Sequence, residues 1–283
     1  MPSSTRSAGS AGPAAARPVT SPDPGRLRRT FETAAERYDR ARPGYPAAIF
    51  DELAALGELS AGRRVLEIGA GTGLATVPLA ERGYRIVALE LGEELASIAR
   101  WRLSGHADVE VVVGAFEEWP LPGEPFDAVV AATAFHWIDP DVRVPKAARA
   151  LRPGGTLAII ETRRIPDADE RILAALRRCH QRWGSDKPPT FDAGGAAKPP
   201  DSIAEIERSG LFEAPTWTTH RWRQEYSTAE FGDLLMTFSN ILVLDPADQA
   251  GLLGCIGEIV DGELQGRIGE RIVNQLVVAR RCS

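Results

Sequence analysis

Val65-Leu66-Glu67-Ile68-Gly69-Ala70-Gly71-Thr72-Gly73 is the stretch that decides the fold. A short apolar run, interrupted by one acid, leads into three alternate glycines, and apolar residues with helical spacing follow as far as Ala80. This order predicts a buried strand, a tight turn and a helix. Glycine permits positive φ and lets a ligand come close to the backbone. The stretch therefore predicts a ligand-binding loop between a strand and a helix.

The glycine spacing and the carboxylate of Glu67 narrow the class of ligand. Dinucleotide-binding folds carry G-x-G-x-x-G and rest a pyrophosphate on the following helix. Here the spacing is G-x-G-x-G, and a carboxylate two residues ahead would repel a diphosphate but suits a positively charged amino group. The stretch resembles the first motif, E/D-x-G-x-G-x-G, of the class I S-adenosylmethionine (SAM) methyltransferases. A nicotinamide or flavin fold and a purely structural turn are the alternatives.

This resemblance implies an α/β fold: a doubly wound, seven-stranded, mostly parallel, Rossmann-like sheet with helical cap elements, and SAM as cofactor. We expect residues 1–25, rich in Ser, Ala, Gly and Pro, to be a disordered tail. Residues 26–283 then form one domain. It consists of a helical lid (26–57), a SAM-binding core (60–162) and a substrate cap with the last strands (163–283).

Composition limits the classes of function. The chain has 283 residues, 43% of them hydrophobic, and a net charge of −6. The acidic balance argues against a nucleic-acid partner, and no apolar run is long enough to span a membrane. Cys179, Cys255 and Cys282 are widely spaced and form no C-x-x-C pair, which favours neither a metal site nor a disulfide framework. We therefore expect reduced thiols and a cytoplasmic enzyme with a small-molecule partner.

Two further signals concern the cofactor. Glu90 ends the second predicted strand, where an acid accepts hydrogen bonds from ribose hydroxyls, in NAD folds as in SAM folds. After the third strand, the resemblance implies that Phe116 covers the adenine ring and Glu117 meets its amino group, with Glu118 as a neighbouring alternative. The complete predicted cofactor set is Glu67, Gly69, Ala70, Gly71, Gly73, Glu90, Leu91, Phe116, Glu117 and Thr133.

The run Phe135-His136-Trp137 follows the fourth predicted strand, at the edge where an open α/β sheet carries its site. It resembles a branch of small-molecule methyltransferases that includes trans-aconitate methyltransferase-like enzymes. His136 is the predicted catalytic residue, because its near-neutral pKa suits a general base. A structural histidine is the alternative. The turn Leu151-Arg152-Pro153-Gly154-Gly155, one helix later, also resembles the methyltransferase family.

The second half of the chain has weaker patterns. The spacing predicts a helix over 167–183, a loop over 184–200 and a strand over 217–226. Two helices are predicted within 228–262, and a final strand over 271–280. The resemblance implies that this last strand is antiparallel and inserted beside the fifth.

Candidates for the acceptor site are fewer and less specific. The predicted substrate residues are Tyr38, Arg42, His136, Trp137, Glu161, Arg163 and Glu170. Arg42, Arg163 and Arg164 could meet a carboxylate or phosphate, because guanidinium groups form paired hydrogen bonds with such anions. A solvated edge is the alternative.

The reaction class follows from an absence and from the charge. The N-P-P-Y/F run of many amino-group methyltransferases of nucleic acids or proteins is absent. Together with the acidic charge, this favours O- or C-methylation of an anionic or apolar small molecule. An NAD(P)-dependent oxidoreductase and a non-catalytic SAM-fold binding protein are the alternatives.

Overall fold

The computed structural model describes residues 35–184 and 199–283, so the predicted tail and most of the predicted loop at 184–200 lie outside the described residues. A seven-stranded sheet has the order β3-β2-β1-β4-β5-β7-β6. Its strands are β1 Arg64–Ile68, β2 Arg85–Glu90, β3 Val109–Val113, β4 Phe126–Ala132, β5 Leu151–Pro166, β6 Thr216–Ser227 and β7 Arg267–Arg280. The first five are parallel, and β7 runs antiparallel between β5 and β6. The predicted fold class is confirmed.

Helices flank both faces of the sheet and cover its second half. They are α1 Ala35–Ala41, α2 Ala47–Leu56, α3 Thr76–Ala80, α4 Glu93–Arg102, α5 Pro140–Ala150, α6 Glu170–Trp183, α7 Asp201–Ser209, α8 Thr228–Leu235, α9 Ser239–Leu242 and α10 Pro246–Glu263, with a 3-10 turn at Phe135–Trp137. The sequence pattern predicts this helix over about 73–82, whereas α3 begins at Thr76, because Gly71 and Gly73 take positive φ. Region 228–262 holds three helices instead of two, because Phe238 is extended.

Alternation along β1 creates two separate cores. Val65 packs on one face of the sheet with Ile49 and Phe50 of α2, whereas Leu66 packs on the other with Val144 of α5. Successive strand residues point to opposite faces, so a strand buried on both sides is a continuous apolar run. The apolar run that precedes the three glycines in the sequence is strand β1.

Strand β5 is longer than the sequence indicates. The apolar run predicts the fifth strand over 156–160, and pairing with β4 also ends at Ile160, but β5 continues to Pro166 and pairs with β7 as far as Glu270. Residues 161–166 therefore lie inside an antiparallel extension of the sheet.

The cap helices pack together over a third core. Leu176 of α6, Phe231 of α8 and Ile256 of α10 are buried together with Ile268 of β7. Within residues 35–184 and 199–283, none of the helices has the length and apolarity needed to cross a membrane.

A disulfide joins two of these cap helices, and here the sequence prediction was wrong. Cys179 of α6 and Cys255 of α10 are bonded, with their Cα atoms 5.8 Å apart, while Cys282 is free. The two cysteines are separated by 76 positions and meet only because α6 packs against α10. Sequence spacing carries no signal for such a long-range pair.

Candidate active site

One cavity of about 460 Å³ connects the glycine-rich loop with the cap. Its first half is formed by residues that follow the carboxyl ends of β1 to β4, including Gly69, Glu90, Phe116 and Thr133. Its second half is formed by residues of α6, α8, α9, α10 and the antiparallel extension. The arrangement offers two adjoining binding places in one enclosure.

The loop after β1 needs glycine for two independent reasons. Gly69 and Gly71 have φ of 70° and 59°, and residues that carry a Cβ rarely adopt such positive values. A Cβ on Gly69 would also lie 2.5 Å from the Cβ of Ala134. Both glycines line the cavity, so a ligand can lie directly against the backbone.

Glu90 is positioned by the same loop. Its Oε2 accepts a hydrogen bond from Gly71 N (2.8 Å), and its Oε1 accepts one from Gly92 N (2.8 Å). A carboxylate offers about four acceptor positions. Glu90 lines the cavity, next to Leu91, and this carboxylate suits a pair of ligand hydroxyls.

Glu67 lies behind the cavity wall in a desolvated environment. It is 1% exposed and does not line the cavity, and neither do Ala70 and Gly73. Burial raises the pKa of Glu67 to about 8, with the charge of Glu90 adding to the effect. Within the described part of the chain, Glu67 Oε2 has no hydrogen-bond partner, and neither does the buried hydroxyl of Thr72. Orphaned polar atoms around one loop fit a polar ligand with a positive group.

Phe116 and Glu117 have different surroundings. The Phe116 ring is buried and lines the cavity. The carboxylate of Glu117 accepts a hydrogen bond from Asp139 N (3.1 Å) and does not line the cavity. Of these two residues, Phe116 lines the cavity and Glu117 does not.

Thr133 is a β-branched residue at positive φ. Its φ is 56°, which is an outlier for this residue type and marks a position held by its surroundings. Its hydroxyl lies 2.9 Å from both Tyr45 Oη and Thr162 Oγ1, and Asn274 donates to Thr162 at 2.8 Å. Burial raises the pKa of Tyr45, which keeps its phenol protonated. This chain of hydrogen bonds ties β4, β5 and β7 together where the two halves of the cavity meet.

His136 lines the cavity while remaining exposed to solvent. Its ring lies 4.9 Å from that of Trp137, which also lines the cavity. Desolvation by the surrounding wall and the positive charge of Arg143 lower the pKa of His136. Arg143 is held by Glu205 (2.8 Å). The lowered pKa favours the neutral imidazole, which is able to accept a proton.

The remaining predicted substrate residues divide into two groups. Tyr38 and Arg42 line the cavity. The carboxylate of Glu161 accepts a hydrogen bond from Ser202 Oγ (2.6 Å), and exposed Glu170 pairs with Arg177 (2.7 Å). Neither of these acids lines the cavity, and Arg163 does not line it either.

Several cavity residues had no distinctive local signal. The sequence offers Arg164 as a possible anion contact beside Arg163, and in the structure it lines the cavity together with its ion-pair partner Glu270 of β7. His180 of α6 also lines the cavity, and burial lowers its pKa. The apolar part of this wall consists of Leu176, Phe231, Leu235, Phe238, Ile241 and Ile256.

Comparisons with known sequences agree with this geometry. Residues 66–159 match the model of a methyltransferase domain. An uncharacterized methyltransferase of Mycobacterium tuberculosis is 39% identical over 163 residues, which are 58% of this chain and 62% of that protein. An uncharacterized methyltransferase of Schizosaccharomyces pombe is 31% identical over 235 residues, which are 82% of this chain and 87% of that protein. The chain thus spans less than two thirds of the mycobacterial relative.

Solved structures share the fold at low sequence identity. Phosphoethanolamine N-methyltransferase 2 of Haemonchus contortus, in complex with phosphomonomethylethanolamine and S-adenosylhomocysteine, has a TM-score of 0.52 and 18% identity over 89% of this chain and 58% of that one. The YcgJ protein of Bacillus subtilis has a TM-score of 0.52 and 14% identity over 83% and 99% of the two chains. Fold and site together define a Rossmann-like methyltransferase architecture. The chain belongs to the class I SAM-dependent methyltransferase family.

Proposed function

We propose that this protein transfers a methyl group from SAM to an oxygen or carbon atom of a small-molecule acceptor. The observation that carries the proposal is the single cavity that joins the glycine loop and Glu90 to the wall of cap helices. A donor and an acceptor bound in its two halves would share one enclosure, with the reacting atoms adjacent. Family membership supports the donor. The substrate of the Haemonchus protein is not carried over, because that likeness concerns the fold.

The residues at the carboxyl ends of β1 to β3 fit SAM. Gly69 and Gly71 leave room against the backbone, and Glu90 would accept hydrogen bonds from the two ribose hydroxyls. Phe116 would pack against the adenine ring, with Leu91 beside it. Glu67, buried without a partner for its Oε2 among the described residues, would favour the positively charged amino group. We keep Glu117 as a candidate for the adenine amino group, although its carboxylate is engaged with Asp139 N.

SAM, when bound, supplies a methyl group that is already activated by the sulfonium. The protein therefore mainly orients the acceptor and excludes water. We assign His136 as the base that accepts a proton from a weakly acidic hydroxyl or carbon acid, since it lines the cavity and its pKa is lowered. Thr133 and Tyr45 would hold the junction between the two halves rigid.

The proposal is tested in two steps. Calorimetry with SAM and with NADH should show binding of SAM alone, and Glu90→Ala should weaken that binding more than tenfold. Glu94→Ala, an exposed acid of α4, is the matched control and should leave SAM binding unchanged. Incubation with SAM and a metabolite extract, followed by mass spectrometry, should then reveal S-adenosylhomocysteine and a product one methyl group heavier. NADH binding without SAM binding would refute the methyltransferase, and SAM binding without any turnover would favour a binding protein.

A further inference from the structure

The acceptor half of the cavity contains the half-buried guanidinium of Arg42, which has no carboxylate partner among the described residues. Arg42 follows α1, and its side chain is held at two points: Nε donates to Thr237 Oγ1 (2.8 Å) and Nη2 to Thr237 O (3.1 Å). The guanidinium carbon lies 4.4 Å from the ring centroid of Phe238 and 5.1 Å from that of Tyr38. Arg42 is thus fixed in one position.

Arg42 retains donors for a ligand. A guanidinium has five N–H groups, and Thr237 accepts two of them. Among residues 35–184 and 199–283, no carboxylate forms an ion pair with Arg42. Desolvation lowers its pKa, and nearby Arg164 lowers it further. A buried cation is normally paired, because an uncompensated charge in a desolvated site is costly.

The second arginine of this wall is already neutralised. Arg164 forms an ion pair with Glu270 and donates to Tyr226 Oη (3.1 Å); Glu270 is buried, and Arg164 is partly buried. The charge of Glu270 raises the pKa of Arg42, but the carboxylate of Glu270 is paired with Arg164. The three charges sum to one positive charge, and Arg42 carries it. The missing partner is a single negative charge.

The side chains that line the cavity around Arg42 indicate which kind of ligand body fits beside the negative charge. Phe231, Leu235, Ile241 and Leu176 give the same half of the cavity an extended apolar surface, which polar His180, Ser239 and Asn240 also line. We propose that the methyl acceptor is a monocarboxylic acid with an apolar body, whose carboxylate binds Arg42. This inference rests on the proposed function, since it names the acceptor of the same site.

The experiment compares acids with their own neutral amides. The protein, saturated with S-adenosylhomocysteine, is titrated with a panel of aryl- and alkyl-monocarboxylic acids, each beside its primary amide. Acids that bind should do so at least about tenfold more tightly than their amides, because a charge-assisted pair in a desolvated site is lost in the amide. A panel in which no acid exceeds its amide would overturn the proposal.

Variants locate the effect. Arg42→Gln should reduce the preference for acid over amide to within about twofold, and Arg42→Lys should restore part of it, because Lys keeps the charge and loses the paired hydrogen bonds. The control is Arg40→Gln, which changes an exposed arginine of α1 two residues before Arg42 and should keep the wild-type preference. An unchanged preference in Arg42→Gln would overturn the assignment of Arg42.

Binding of S-adenosylhomocysteine separates the possible failures and reports folding of the variants. If it binds to every variant and the acid preference is absent, the acceptor class is wrong and the proposed function stands. If it does not bind to the wild-type protein, the proposed function itself fails.

Discussion

The disulfide between Cys179 and Cys255 should contribute much of the stability of the cap. The perturbation is its reduction in the otherwise unchanged chain, which removes one covalent bond while the two side chains stay in the third core. Cross-linking lowers the entropy of the unfolded chain, because it closes a loop that folding must otherwise close.

The loop length sets the size of the effect. The cysteines are 76 positions apart, and for such a loop the chain-entropy relation gives about 15 cal/mol/K, or about 4.5 kcal/mol at 25 °C. We treat this as an upper value, since measured effects range from about 0 to 5 kcal/mol. A typical domain is stable by about 5–15 kcal/mol, so reduction should move the unfolding midpoint clearly.

The assay is urea unfolding followed by circular dichroism, with and without a phosphine reductant. The wild-type protein should unfold at a lower urea concentration when it is reduced. The Cys179→Ser/Cys255→Ser variant, without reductant, should have the same midpoint as the reduced wild-type protein. Cys282→Ser is the control: since Cys282 is free, this substitution should leave the midpoints with and without reductant unchanged. Thiol counting in denaturant without reductant should find one thiol per chain. Three free thiols, or equal midpoints with one free thiol, would refute the reasoning.

Three further outcomes are expected. Gly69→Ala should lower the free energy of unfolding by at least about 1–2 kcal/mol and abolish SAM binding, because the φ of residue 69 is positive and the new Cβ would clash with Ala134. Gly123→Ala is the control and should have neither effect, since no atom lies within 4 Å of the position of its Cβ. In the folded state Glu67 holds a proton up to its raised pKa of about 8, so the SAM-free protein should lose stability as pH rises from about 4.5 through 8. The thermal unfolding midpoint of Glu67→Gln should lack this dependence on pH. Turnover should fall in acid as His136 becomes protonated, with a midpoint below the ordinary histidine pKa because the pKa of His136 is lowered. An identical pH profile in His136→Ala would exclude it as the base.

The donor half of the site could be predicted because its signals are local. The positive φ of the loop glycines and the acid at the end of β2 belong to short strand-turn units, so spacing alone indicates where they lie. The hydrogen bond from Gly71 N to Glu90 spans only 19 positions. Helix α3 was predicted too long because the same glycines that form the loop delay its start.

The acceptor half could not be predicted because its contacts join distant parts of the chain. Arg42 meets Thr237 at a separation of 195 positions, and Arg164 meets Glu270 at 106. Locally, Arg164 is one of two adjacent arginines on a strand edge, and nothing in its sequence neighbourhood distinguishes it from Arg163. The antiparallel pairing of β5 with β7 decides that one lines the cavity and the other does not.

The way the cavity is divided has a consequence for how such enzymes diversify. The residues proposed to hold SAM lie between Glu67 and Thr133, inside the segment that matches the methyltransferase domain, whereas most of the acceptor wall lies beyond residue 159. Selection can therefore exchange the acceptor wall while the donor segment is inherited intact. A chimera that keeps residues 66–159 and takes both flanking parts from a relative would be the laboratory counterpart of that history.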